Sequence, residues 1–481
     1  MSNLAKESAM NRINALLDEN SFVEIGGLVT ARSTDFNMQD KVAASDGVIT
    51  GYGVIDNSLV YVYSQDASIL GGTVGEMHAK KISRLYDMAV KMGAPVVALV
   101  DCAGLRLEEA ADALNAFGEV YAKQVAASGV VPQITAVFGT CGGGMGVMAS
   151  LSDFTFMAED GKLFVNAPNT LDGNRAEKCD TASAAYQAEV SGMADYTGTE
   201  DEVLAGIRQL VSVLPMNNDD FAEEQCADDL NRVCENLADC VGDTEIALEN
   251  LADAGTFFEI KKAYAKNMVT GFMKLNGITV GAVANRATVY DEEGKAEELG
   301  TALTAEGCEK AADFVNFCDA FNIPVLTLTN ASGFAATVDN EKRIAKAAAK
   351  LTYAYAEATV PKVNVVVGQA MGNAYNVMNS KACNADIVYA WPDAKIGTMD
   401  SDAAVRIIYA EEIKKAEDSV AFINEKKAEY ETLQVSAASA AKRGYVDSII
   451  APEDTRKYVI GAFEMLYTKK EERPAKKHGT V

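Results

Sequence analysis

The chain has 481 residues, 49% of them hydrophobic, enough for two to three packed domains. Its formal net charge of −26 at pH 7 argues against a general attraction to phosphate backbones or anionic lipid, so nucleic acid is not expected as a partner and any anionic ligand must be met locally. Nine cysteines without a Cys-x-x-Cys, and only two histidines, His78 and His478, argue against a disulfide framework, a zinc ribbon or a Ser-His-Asp triad, and no metal site is expected.

Residues 1–21 carry Met10, Ile13, Leu16 and Leu17 at helical spacing among charges and lack the apolar core of a signal peptide. No apolar run approaches the roughly 18 residues of a membrane span, so the chain reads as cytoplasmic. Short β-branched runs at 60–64, 96–100 and 134–139 alternate with helical stretches such as 75–93, the signature of an α/β fold with buried, mostly parallel strands. Pro95, Pro132, Pro324 and Pro361 each stand just before such a strand, where a missing N–H does little harm. Ala89-Val90-Lys91-Met92 resembles a biotin attachment motif, yet it closes an amphipathic helix and is read as that. Between 214 and 245 the chain turns acidic and loses strand character, placing a domain boundary there, with domains at 1–235 and 236–481. A long helix is expected over 410–433, followed by a basic tail at 469–479.

The two domains are copies. PVVALVDCAG at 95–104 returns as PVLTLTNASG at 324–333, 229 residues on, and the same offset carries VPQITAVFGTCGG at 131–143 onto VPKVNVVVGQAMG at 360–372. A repeat this long is a duplication of domains; solenoid units run to roughly 20 to 50 residues.

In each copy a strand runs into a small-residue turn and then a helix: GTCGGGMGVMAS at 139–150 and GQAMGNAYNVMNS at 368–380. Helix N-termini carry free N–H groups and partial positive charge, and glycine lets a ligand approach the backbone. Two such amides aimed at one oxygen make an oxyanion hole. A tight turn packing helix on sheet is the plainer alternative. A dinucleotide fingerprint is disfavoured because Val147 stands where its third glycine belongs, and no Walker A sequence occurs.

QDASILGGTVGEMHAKKI at 65–82, DCAGLRL at 101–107, the two glycine turns, VSVLPMNN at 211–218, FCDAFNIPVLTLTNASGF at 317–334, ADIVYAWPDAKIGTM at 385–399 and RGYVDSII at 443–450 resemble the carboxyltransferase subunits of biotin-dependent acyl-CoA carboxylases and decarboxylases. The likeness spans nearly the whole chain. It implies two homologous crotonase-like domains, each a superhelix of ββα units, the first on the acyl-CoA side and the second on the biotin side. It implies a coenzyme A thioester as substrate and biotin brought on a separate carrier protein or domain. Carboxybiotin would release CO2, the ureido nitrogen would take the α-proton, and the thioester enolate would capture CO2. Gly143 and Gly144 would hold the enolate oxygen through their N–H groups, and Asn373 and Ala374 the ureido oxygen. Gly104, Arg106, Gly142, Gly333, Phe334, Gly372, Tyr375 and Asn376 would line the substrate sites. Implied partners are a biotin carboxyl carrier protein, with biotin carboxylase or membrane decarboxylase subunits. Implied too is a homo-oligomer, a hexamer built as a trimer of dimers, with each site formed by the N-terminal half of one subunit and the C-terminal half of another.

Three places depart from that pattern. The usual Gly-Gly-Ala-Tyr is Gly372-Asn373-Ala374-Tyr375; the usual acid that opens the second copy's Asp-x-Pro-Gly-Phe is Asn330; and 169–187 lacks the usual loop near the acyl group. Arg106 suits either a CoA phosphate or a salt bridge, and Asn376 either acyl-chain selection or helix capping. The rival readings are a decarboxylase α subunit, a biotin-independent crotonase-type enzyme needing a carboxylate base, and a scaffold with vestigial pockets.

Overall fold

The computed structural model describes residues 9–32, 45–220, 226, 228–290 and 293–474, the side chains of Ala176 and Glu177 excepted. His478 and the end of the basic tail lie outside the described residues. Two compact units result, Met1–Ala222 and Glu223–Val481.

The first unit is organised on an eight-stranded sheet. Its strands are β1 (Val23–Glu24), β2 (Val48–Ile55), β3 (Ser58–Gln65), β4 (Val96–Cys102), β5 (Gln133–Gly142), β6 (Phe154–Ala158), β7 (Lys162–Phe164) and β8 (Tyr196–Gly198). They lie in the order β1-β2-β3-β4-β5-β6-β8, with β7 pairing the end of β5. The β1–β2 and β2–β3 pairs are antiparallel and the others parallel. Every residue of β4 is buried, as a strand covered on both faces must be, which explains its unbroken run VVALVDC. Helices α1 (Ala9–Leu16), α2 (Glu76–Met92), α3 (Ala110–Ala127) and α4 (Gly144–Ser150) flank or extend it. The Ala89–Met92 segment closes α2, and Gly93 ends the helix at φ 62° with its N–H on the Ala89 carbonyl.

The second unit repeats this design. Its sheet is β9 (Phe258–Ile260), β10 (Met268–Leu275), β11 (Ile278–Asn285), then, after a hairpin of β12 (Thr288–Tyr290) and β13 (Ala296–Glu298) and the short β14 (Ala302–Leu303), β15 (Val325–Ala331). There follow β16 (Gly333–Phe334), which pairs β14, and β17 (Lys362–Met371), β18 (Ile387–Ala390), β19 (Lys395–Gly397) and β20 (Ser448–Ile449). The order β9-β10-β11-β15-β17-β18-β20, with β19 on the end of β17, matches the first sheet strand for strand. The duplication read from sequence is therefore a duplication of topology.

Two expectations change. The boundary lies before the expected residue 235, because the acidic segment joins the second unit: Arg232 donates to the Asn250 and Ala252 carbonyls at 2.9 Å each, and Cys234 N–H to the Glu453 carbonyl at 3.0 Å. The helix expected over 410–433 is broken into Ala410–Lys415 and Ser419–Tyr430. Asp418 causes the restart, its carboxylate accepting from Val420 and Ala421 N–H. Among the described residues no helix is long and apolar enough to cross a membrane.

Candidate active site

Both glycine turns stand where expected, at the ends of β5 and β17. Gly143 turns the chain at φ 61° and ψ −122°, a conformation that side chains disfavour, and Gly372 does so at φ 58°. Short helices follow, α4 and Gly372–Val377.

In the first turn Gly143 caps α4 and Gly144 is its first residue. Gly143 N–H already donates to the Phe164 carbonyl at 2.9 Å, because the parallel ladder of β5 with β7 runs one residue past the strand end. Gly144 and Met145 open α4 and have no carbonyl four residues back within the helix to accept from them. These positions are 229 residues before Asn373 and Ala374, the same places in the two copies.

Gly144 is gripped from α3. Tyr121 Oη donates to the Gly144 carbonyl at 2.9 Å, and a Cβ on Gly144 would lie 2.9 Å from that hydroxyl and 3.1 Å from the Phe117 ring. Sequence reasoning missed Tyr121 and Phe117; their i,i+4 spacing on α3 was the only signal. Gly104 sits beside the turn, since a Cβ there would be 3.3 Å from the Gly142 carbonyl oxygen, and its φ of 109° favours glycine. Gly333, its repeat partner at φ 149°, and Phe334 form β16, which packs against the helix Gly372–Val377.

Arg106 is not available to a CoA phosphate. It is 1% exposed, ion-paired with Asp46 and with Glu109 at 2.8 Å, and donates to the Thr73 carbonyl at 2.6 Å. Those partners come from 33 to 60 residues away on one side and one helical turn on the other, so the salt-bridged alternative holds.

The second turn opens onto a cavity of about 680 Å³, within the usual range for small-molecule sites. Gly372, Asn373, Tyr375 and Asn376 line it from the turn, and Thr398, Tyr430 and Gln434 close it from segments that sequence reasoning missed. Tyr430 and Gln434 fall within the broken helical stretch and its π-helical end, Glu431–Val435, so their placement depended on that break. The cations here are engaged: Lys381 pairs with Asp447, and Arg443 donates to Ser439 Oγ at 2.7 Å and the Leu433 carbonyl at 3.0 Å. The Tyr375 hydroxyl is buried away from solvent, and burial pushes it up to about 12, so it remains protonated. Ala374 is 1% exposed and does not line the cavity. Asn373 is exposed, its side-chain oxygen accepting from Asn376 Nδ2 at 3.4 Å, so it does not fill the turn. Asn373, Asn376 and Gln434 bring side-chain amides to the cavity, and Thr398 and Tyr430 hydroxyls, all able to hydrogen-bond a ligand.

In the departing segment at 169–187, Asn174 is the hub: its Nδ2 donates to the Pro168 and Cys179 carbonyls at 2.7 and 2.8 Å, and its Oδ1 accepts from Cys179 N–H at 2.8 Å. Among the described residues no cluster of three or more His, Cys, Asp or Glu is arranged to hold a metal.

His78 is fully buried beside the first turn. Its Nδ1 lies 2.8 Å from the Asp46 carbonyl and must donate, so in the neutral ring Nε2 accepts from Gln65 Nε2 at 3.1 Å. Burial holds it down at about 3, from 6.5. The stability due to the neutral ring is complete above 6.5 and is lost as pH falls from there toward about 3, because only the unfolded chain takes up the proton. A pH–stability curve for His78→Asn is expected to be flatter in that window, by at most about 1.4 kcal/mol per pH unit. Its kcat is expected within about an order of magnitude of wild type, against the 10²- to 10⁴-fold loss of a general base. A larger loss in folded protein would make His78 part of the chemistry.

The carboxyl transferase domain family matches residues 3–481. The propionyl-CoA carboxylase β chain of Roseobacter denitrificans is 41% identical over 99% of this chain and 94% of its own length. The methylmalonyl-CoA decarboxylase α subunit of Propionigenium modestum is 40% identical over 99% and 93%. The crystal structure of transcarboxylase 12S, a hexamer with methylmalonyl-coenzyme A and methylmalonic acid bound, superposes with a TM-score of 0.91 at 36% identity, covering 98% of this chain and 92% of that one. The chain belongs to the carboxyl transferase family, the carboxyltransferase components of biotin-dependent acyl-CoA carboxylases and decarboxylases. Its two units accordingly have the crotonase-like fold.

Proposed function

We propose that this enzyme moves a carboxyl group between carrier-bound biotin and the α-carbon of a short acyl-CoA, methylmalonyl-CoA or a close analogue being the carboxylated partner. The observation that carries this is the pair of glycine turns in register, Gly144 and Met145 in one copy and Asn373 and Ala374 in the other, each opening a helix with unspent N–H groups. Gly144 and Met145 hold the thioester oxygen as it gains enolate charge, and Tyr121 fixes the turn that aims them. Asn373 and Ala374 do the same for the ureido oxygen, with the cavity's amide and hydroxyl side chains orienting the ring. Biotin, when bound, supplies or accepts the carboxyl group and carries the α-proton. No acidic residue stands inside either turn, which disfavours a biotin-independent crotonase-type enzyme.

The biotin is brought by a carrier protein or domain, and the enzyme works in the cytoplasm as a homo-oligomer, a trimer of dimers; the hexamer assembly of transcarboxylase 12S supports the count of six. Its other partners are biotin carboxylase or, in the second reading, membrane decarboxylase subunits. That second reading, a sodium-pumping decarboxylase α subunit running the transfer toward biotin, is favoured by near-equal identity to the decarboxylase and carboxylase relatives. Purified protein given methylmalonyl-CoA and free biotin is expected to form propionyl-CoA in a biotin-dependent manner, insensitive to EDTA. Biotin-independent hydration or isomerisation of an enoyl-CoA, or loss of turnover to EDTA restored by zinc or magnesium, would overturn the proposal.

A further inference from the structure

In both copies the strand leading to the glycine turn slips against its neighbour just before the turn. β4 and β5 pair Val100 with Val137 and then Cys102 with Cys141, leaving Asp101 opposite the stretch 138–140. β15 and β17 pair Thr329 with Val366 and then Ala331 with Ala370, leaving Asn330 opposite 367–369. A bulge of this kind removes regular ladder partners from the longer strand and leaves its N–H groups to other acceptors.

One side chain supplies the acceptor in each copy. Asp101 Oδ1 accepts from Thr140 N–H at 3.1 Å, and Asn330 Oδ1 from Gln369 N–H at 2.9 Å. Glycine precedes each donor, and a Cβ at Gly139 or Gly368 would land on the Asp101 carboxylate or the Asn330 amide. Asp101 is 5% exposed, its other oxygen 3.9 Å from the Arg12 guanidinium. The same bond made by a carboxylate in one copy and an amide in the other means that the turn requires an acceptor oxygen at this place and not a negative charge. The loss of the usual acid at 330 is therefore no loss of geometry.

We infer that Asp101 and Asn330 are positioning residues, latches that set the register of β5 and β17 and so aim the amides of the two glycine turns. The kinetic side of this inference rests on the carboxyltransferase reading; the structural side does not.

The test compares full-length wild type with Asp101→Asn, Asp101→Ala and Gly139→Ala by amide hydrogen exchange over 138–144 and by steady-state kinetics with methylmalonyl-CoA and free biotin. Exchange at Thr140 is expected to be slow in wild type and in Asp101→Asn, and fast in Asp101→Ala and Gly139→Ala. Asp101→Ala is expected to lose about 10²-fold in kcat, the scale for a misplaced reacting group, with KM for the thioester within a factor of about three and kcat restored by asparagine. Asn330→Ala should open 367–369 and leave 138–140 protected. Unchanged protection of Thr140 in Asp101→Ala, or failure of asparagine to preserve it, overturns the latch whatever the enzyme's substrate is. Retained latching in a protein without carboxyl transfer would count against the functional reading alone.

Discussion

Gly144→Val is expected to lower kcat for carboxyl transfer by about 10²- to 10³-fold, the cost of losing one oxyanion donor. The cause is steric. The first Cβ would already stand 2.9 Å from Tyr121 Oη and 3.1 Å from Phe117, and the valine methyls would push the start of α4 out of line with the reacting carbonyl. Gly143→Val should be at least as damaging by another route, since φ 61° with ψ −122° is open to glycine and not to a β-branched residue. Both variants should keep the fold, because α4 is a short element beyond the end of β5, outside the buried strands of the sheet. A folded, assembled and fully active Gly144→Val protein would show that the enolate oxygen is held at another place.

The second large effect separates the two turns. Ala374→Val should cut carboxyl transfer to or from biotin while leaving stabilisation by acyl-CoA in a thermal shift almost unchanged. Ala374 lies on the buried side of the helix Gly372–Val377, so the added methyls act from the core side and displace the amides without blocking the cavity. Overpacking of this kind costs about 1–3 kcal/mol, so rates must be compared per folded enzyme. The effect should appear in kcat, because these amides do most in the transition state. Normal transfer with abolished acyl-CoA binding would mean that the roles of the copies are reversed, and normal behaviour in both assays would make the second turn merely structural.

How much of this was legible in the chain follows from which interactions are local. The glycine turns could be found because each is a contiguous string that occurs twice, and the sheet could be ordered because β-branched runs recur at one spacing. The bond from Gly143 N–H to Phe164 was hidden because Phe164 lies beyond α4 and β6 on a three-residue strand that sequence does not announce. Arg106 was open between two readings until the fold brought Asp46 and Thr73 to it. The latches were hidden by a change of residue type. A comparison of repeats treats Asp101 and Asn330 as a mismatch, whereas their oxygens accept equivalent bonds. The long helix failed because Asp418 is a better cap than an interior residue. The division falls inside the acidic stretch 214–245 but earlier in it than 235, because acidic composition marks a surface and says nothing about which core the segment's arginine reaches.

The donors proposed for both half-reactions are main-chain N–H groups, and that has a consequence for heredity. Nineteen of the twenty coded residues carry that N–H, so nearly every codon change leaves the catalytic atoms in place; proline alone deletes one. Loss of activity must then arise through volume and backbone angle: a branched side chain under the helix, a Cβ at Gly143, a larger residue where Gly139 lets Asp101 through. Inactivating alleles at the two turns should consequently be dominated by bulk and strain. Reversal of charge, the usual way to silence an enzyme that works with carboxylates and imidazoles, should be scarce among them.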